Sequence, residues 1–271
     1  MTSAPHTGPT ARPSIAPTRV AVIGHGAIGA VVAADLAAGG VPGAELVAVV
    51  TRTPHADTPA PNLPFDEALD RADLVVEAAG QQALRDHGPA VVESGRTLLV
   101  TAVGALADPG LRERLQTGPG RLGVTAGAVG GLDVLAAATH MAPFGSVTLR
   151  TTKKPGALVQ DWMDEGETVR LREATGPMSV FAGPVAEAAR LFPSSLNVAA
   201  ALALAVDDWD LVRVELVADP GADLTAHHIT ATGPAGEYDF TIRNRPSPAN
   251  PRSSGAVPHA VLHTLRGLVG A

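Results

Sequence analysis

Near its start the chain reads Val20-Ala21-Val22-Ile23-Gly24-His25-Gly26-Ala27-Ile28-Gly29, and no other segment restricts the fold as sharply. The apolar run Arg19 to Ile23 predicts a strand, and Ala27 to Ala38, rich in alanine with Val31, Val32 and Leu36, predicts a helix. Between them stand glycines at the spacing G-x-G-x-x-G. Each glycine has a physical reason. Gly24 permits the tight turn, Gly26 lets main chain approach a pyrophosphate, and Gly29 lets helix and strand pack closely. The helix start then offers unpaired N–H groups and a partial positive charge to an anion. Strand, glycine turn and helix in this order predict a dinucleotide site, with Gly24, His25, Gly26, Ala27, Ile28 and Gly29 against the cofactor.

Which dinucleotide is read from the end of the next strand. An acid about 20 residues past the glycines would hold the ribose 2′-hydroxyl of NAD. Here the strand ends Val49-Val50-Thr51-Arg52, without Asp or Glu. Thr51 can donate to a phosphate and Arg52 can pair with one, so the cofactor is NADP or NAD, with NADP accepted at least as well. Small residues after the third strand, Ala78-Ala79-Gly80, leave room for the nicotinamide ribose over the strand ends.

Further strands are expected at Glu45–Val50, Ala72–Val76, Thr97–Val100 and Arg121–Val124, with helices at Gln81–Glu93 and Leu111–Gln116. Apolar strands alternating with helices indicate a parallel sheet covered on both faces. After about Leu132 the pattern changes. Gly145–Thr152 and Leu211–Val217 alternate in polarity, Ala226–Thr232 and Tyr238–Arg243 flank the turn Gly233–Gly236, and Ser194–Val206 reads as a helix led by a Ser-Ser cap. The expected fold is therefore α/β: a parallel Rossmann domain over 19–125, then an α+β domain with a mostly antiparallel sheet over 126–250. A terminal helix within 251–271, after the Pro-rich loop Pro246–Pro251, is expected to complete the first domain. Residues 1–18, rich in Pro, Thr, Ala and Ser, read as a disordered tail.

Charge and cysteine content exclude several functions. With Asp+Glu 27 against Lys+Arg 20, the net charge of −7 argues against a nucleic-acid partner. The chain has no cysteine, so disulfides, thiolate nucleophiles and thiolate metal ligands are out. His140, His259 and His263 are scattered, and no metal is expected. No apolar run is long enough for a signal or a membrane span, which predicts a cytoplasmic protein without a membrane partner.

Several segments, in order along the chain, resemble the aspartate dehydrogenase family: Gly24–Gly29, Val75–Gly80, Ala126–Asp133 (AGAVGGLD), Thr152–Pro155 (TKKP), Val180–Pro184, Phe192-Pro193 with Asn197–Ala200, His227–Ile229, and Asn250–Ser254. The resemblance implies NAD(P)-dependent oxidative deamination of L-aspartate to iminoaspartate, with reductive amination in reverse, and a place in NAD biosynthesis. It implies His227 as the catalytic histidine, and cofactor contacts at Ala128 and Asn197. Three positions depart from the family pattern: Thr225 stands where an Asn is usual, His228 where an acid is usual, and Ser195 where many relatives have Asn. The departures leave a different amino or imino acid as an alternative substrate.

The chemistry is consistent with these residues. Removing hydride from an amino-acid Cα also requires a base for the ammonium proton, and imidazole, ordinarily near pKa 6.5, suits that role. On a strand, His228 points to the face opposite His227 and reads as structural. A dicarboxylic amino acid needs cations or amides. Lys153 and Lys154 end a strand, and Lys154 is taken as the substrate ligand, with Gly127, Asn250 and Ser253. The competing readings are a reductase of another substrate on the same scaffold and a non-catalytic NAD(P) sensor. A homodimer is expected, the commonest symmetric assembly.

Overall fold

The computed structural model describes residues 16–193 and 196–269. The first unit is built as β1 (Thr18–Ile23), α1 (Gly29–Ala37), β2 (Ala44–Val50), α2 (Phe65–Arg71), β3 (Leu74–Glu77), α3 (Gln81–Glu93), β4 (Thr97–Val100), α4 (Pro109–Thr117) and β5 (Leu122–Val124). A 3-10 turn over Val103–Ala107 joins β4 to α4. All neighbouring strands run parallel, in the order β2-β1-β3-β4-β5. Leu74–Glu77 is wholly buried, which explains why the strand carries no polar alternation.

The second unit contains α5 (Leu132–Met141), β6 (Ser146–Lys153), α6 (Glu165–Arg172), β7 (Met178–Pro184), α7 (Val185–Leu191), α8 (Asn197–Ala205), β8 (Val212–Ala218), β9 (Thr225–Gly233) and β10 (Gly236–Asn244). Its sheet has the order β10-β9-β6-β8-β7 and is antiparallel except for the β6/β8 pair. Parity sorts the side chains: Val147, Leu149, Thr151 and Lys153 of β6 are buried, as are Thr225, His227, Ile229 and Ala231 of β9. A small hairpin, β11 (Pro246–Ser247) with β12 (Asn250–Ser254), leads into α9 (Val257–Leu268).

The mixed α/β class and the two sheets agree with the sequence reading, with local differences. The third strand starts at Leu74, two residues later than expected, because Ala72 ends α2 and Asp73 is held by Arg19. The segment expected as a Pro-rich loop forms the β11/β12 hairpin. α8 begins at Asn197, and the Ser194-Ser195 cap lies outside the described residues. So does most of the expected tail, although Thr18 already belongs to β1. Helices α2, α6 and α7 and strand β7 have no counterpart in the sequence reading.

The core does not divide at the expected domain boundary. One continuous apolar cluster runs from Ala21, Val75 and Leu98 through Val103 and Leu106 to Leu196, Leu202, Leu216 and Ile229. A separate cluster covers the other face of the first sheet, where Val261, Leu262 and Leu265 of α9 pack with Val20, Val22, Val32 and Leu74. No helix among the described residues is long and apolar enough to cross a membrane.

Candidate functional site

The ends of β1, β3 and β4 open toward the second sheet, and two adjacent spaces lie there. A groove of about 1400 Å³ runs past Gly24, His25, Gly26, Thr51, Arg52, His55 and Ala78 to Gln81 and Pro193. It meets a cleft of about 340 Å³ lined by Ala27, Ile28, Ala78, Ala79, Gly80, Gly127, Ala128, Lys153, Asn197, Thr225, His227, Asn250 and Ser253. Most residues anticipated from sequence thus line two adjacent spaces that share Ala78, Ala79, Gly80, Gln81 and Pro193.

The glycine turn is shaped as its spacing predicts. Gly24 has φ +98°, and a Cβ there would press on the Ala78 main chain; a Cβ on Gly29 would collide with the Gly24 carbonyl. A Cβ on Gly26 would meet no described atom within 4 Å, so no packing among the described residues requires that glycine. α1 starts without a side-chain cap. The Nδ1 atom of His25 is buried without a partner among the described residues, beside the His55 ring with centroids 5.7 Å apart. Open space over Gly26, an uncapped helix start and an orphaned polar atom together fit a dinucleotide pyrophosphate and its adenosine half.

Other residues are partly committed. The Thr51 hydroxyl donates to the Thr53 carbonyl (2.7 Å) and accepts from Asn62 Nδ2 (2.7 Å), so it has no proton to offer a phosphate in this arrangement. Arg52 is exposed on the groove and has no ion-pair partner among the described residues. Asn197 Oδ1 accepts from the Gly104 N–H (2.9 Å), which fixes the amide and leaves its NH₂ end to the cleft. Ala128 offers its carbonyl to Asn244 Nδ2 (2.7 Å), and Gly127 takes φ +64°.

Glu77 is a site residue that the sequence reading misses. It is buried at the end of β3 and accepts from the N–H groups of Ala79 (2.8 Å), Gly80 (2.7 Å), Thr101 (3.3 Å) and Ala102 (2.9 Å). One carboxylate therefore sets the loops after β3 and β4, which form the floor of the cleft. Burial pushes its pKa above the ordinary value, against the four amides that favour the charged form. A lone acid ending an apolar parallel strand is the signal that could have found it.

His227 is 2% exposed, and its Nδ1 lies 2.9 Å from Thr151 Oγ1. With Nδ1–H donating to that hydroxyl, Nε2 keeps its lone pair and has no partner among the described residues. Burial, and secondarily the Lys153 ammonium, lower its pKa to about 3, so the imidazole is neutral throughout the physiological range. His228 takes the opposite face and pairs with Asp239 at 2.9 Å.

The structure places the two adjacent lysines differently. Lys154 is 58% exposed, pairs with Asp223 at 3.5 Å and lines a different cavity. Lys153, on the face shared with Val147, Leu149 and Thr151, enters the cleft and is 4% exposed. The strand's parity already distinguished the two. Asn250 and Ser253 line the cleft; Asn250 Oδ1 accepts from the Arg252 N–H, and the Ser254 hydroxyl accepts from the Ala256 N–H.

Comparison with known proteins identifies the family. Residues 133–268 match the family model described as aspartate dehydrogenase, C-terminal, and residues 24–124 match that of the homoserine dehydrogenase NAD-binding domain. The L-aspartate dehydrogenase 2 of Bordetella pertussis is 39% identical over 92% of this chain and 96% of its own length. The L-aspartate dehydrogenase of Ruegeria pomeroyi is 38% identical over 92% and 91%. The crystal structure of aspartate dehydrogenase from Thermotoga maritima superposes with a TM-score of 0.71 at 26% identity, covering 93% of this chain and 96% of that one. The chain belongs to the aspartate dehydrogenase family, and is a nicotinamide-nucleotide-dependent oxidoreductase acting on CH–NH₂ groups.

Proposed function

We propose that this enzyme oxidises L-aspartate with NAD(P) to iminoaspartate, which water converts to oxaloacetate and ammonia, and that it aminates oxaloacetate reductively in reverse. The observation that carries this reading is His227, neutral and with a free Nε2, in the same cleft as Ala78–Gly80, Ala128 and Asn197. Gly24–Gly29 and the start of α1 would hold the pyrophosphate. Asn197 and the Ala128 turn would flank the nicotinamide ring, which when bound supplies the two-electron acceptor for the hydrogen leaving Cα.

The chain itself manages protons and positions the substrate. His227 Nε2 takes one proton from the substrate ammonium, freeing the nitrogen lone pair to form the C=N bond as the Cα hydrogen departs with its electrons. Thr151 holds the imidazole in the required tautomer, because its hydroxyl can accept from Nδ1–H while Nε2 stays open.

The test is turnover, followed by nicotinamide absorbance, with L-aspartate, L-glutamate, L-alanine and L-homoserine under both cofactors. L-Aspartate giving the highest kcat/KM is the expected result. Thr225 is buried in the cleft where the family pattern has Asn, and this favours one specific alternative, a related amino acid as substrate. A higher kcat/KM for another amino acid would replace aspartate with it. Cofactor binding without any turnover would leave only a sensor.

A further inference from the structure

Lys153 is an ammonium group in the interior without a counter-charge. Its Nζ donates to the Arg252 carbonyl at 2.7 Å, and no carboxylate lies within ion-pair distance of it among the described residues. The charged groups around it are all accounted for. On β9 the nearest is His227. Beyond the paired residue Ala218 of β8, Asp219 donates its N–H to the Lys153 carbonyl and spends its carboxylate on the Gly221 N–H. On β12, Arg252 presents its carbonyl while its guanidinium reaches the Val159 carbonyl. On β6 itself, Lys154 leans to Asp223, and Arg150 lies on the far face toward Glu215. At the end of β3, Glu77 is saturated by four amides.

A buried cation and a buried imidazole therefore share one small cleft with no anion between them among the described residues. Burying an unpaired charge is costly, and such a group binds the ion that completes it. We propose that Lys153, not Lys154, binds a carboxylate of the substrate, and that the dicarboxylate docks as the missing counter-ion, drawing a proton onto this pair as it binds. The inference rests on the dicarboxylate reading given above. It adds a coupling: burial chiefly, and the Lys153 charge secondarily, disfavour protonation of His227, and an anion on Lys153 offsets the second of these.

The sign of the coupling follows. Burial holds the free lysine at about 8. Pairing with a carboxylate raises it, so binding takes up protons above neutrality and hardly any well below it. Affinity is then flat below about pH 7.5 and falls by up to ~tenfold per pH unit above 8.

Succinate, which has both carboxylates and no amine to titrate, is the probe. Calorimetry on the NADP-loaded enzyme in buffers of different ionisation enthalpy reads the proton count directly. Expected are proton uptake that grows from pH 7 to 9, and a loss of succinate affinity of roughly 10- to 100-fold in Lys153→Met, with cofactor affinity intact as the check on folding. Lys153→Arg, whose charge does not titrate, restores binding and removes the pH dependence. L-Aspartate turnover together with pH-independent succinate binding, unchanged in Lys153→Met, overturns this inference alone. Absence of both aspartate turnover and succinate binding overturns the parent reading with it.

Discussion

The two halves of the cleft are built by different means. On the N-terminal side, the proposed recognition is written in main chain: glycines that clear space, an uncapped helix start, and loops set by one buried carboxylate. On the C-terminal side it is written in side chains, with His227, Thr151 and Lys153 buried on one face of an antiparallel sheet. A pyrophosphate is common to all dinucleotides, and backbone amides serve it. Discriminating and activating one small substrate needs groups that titrate and carry charge. The difference teaches that damage on the first side should appear as lost cofactor affinity or lost fold. Damage on the second should appear as lost chemistry with the fold intact.

The largest expected effect tests the side-chain half. His227→Ala should lower kcat by ~10²-fold or more while the cofactor dissociation constant stays put, measured by steady-state kinetics and fluorescence titration. An equal loss of cofactor affinity would break the division of labour. A pair of glycine variants tests the other half. Gly29→Ala should destabilise the protein by about 2–4 kcal/mol, because its Cβ meets the Gly24 carbonyl within a tight turn. Gly26→Ala should leave Tm unchanged, since its Cβ meets no protein atom, yet weaken the dinucleotide ~tenfold or more.

Lys153→Met sharpens the contrast from the stability side. A lysine lowered from 10.5 to about 8 on folding weakens the fold fully below pH 8, and the penalty vanishes as pH rises past 10.5. The variant should therefore melt higher at pH 7, by about 1–3 kcal/mol in stability, and match the parent near pH 10.5 in thermal scans. The corresponding penalty for His227, ordinarily 6.5 and lowered to about 3, is absent above 6.5 and grows as pH falls toward 3. The smallest effect concerns a side chain that would break the backbone rule in the N-terminal half. Arg52→Ala should weaken NADP relative to NAD by about tenfold, read from the two Michaelis constants. No change would make that half purely a matter of main chain.

The same contrast explains what could be read in advance. Parallel strands with glycine turns leave continuous apolar runs, so Gln81–Glu93 and Thr97–Val100 were legible to the residue. The C-terminal half depends on distant partners. β7 owes its place to pairing with β8, and its bulge between Ser179 and Phe181 spoils the alternation that would mark a strand. His227 was legible through its motif, but not its depressed basicity, which depends on burial and on a lysine 74 positions away in the chain. Lys153 and Lys154 were separable by parity alone. Glu77 looked like a strand-end residue until four amides from two loops were seen to converge on it.

The seating of α9 on the first sheet carries a consequence for biosynthesis. Val20 and Val22 are translated early, and their cover, Val261, Leu262 and Leu265, only after the entire second sheet has been made. On the ribosome, the nascent N-terminal half therefore waits with one oily flank bare while its neighbour assembles. Such an interval suits capture by a chaperone, and a nascent chain halted before Val257 would keep that flank exposed.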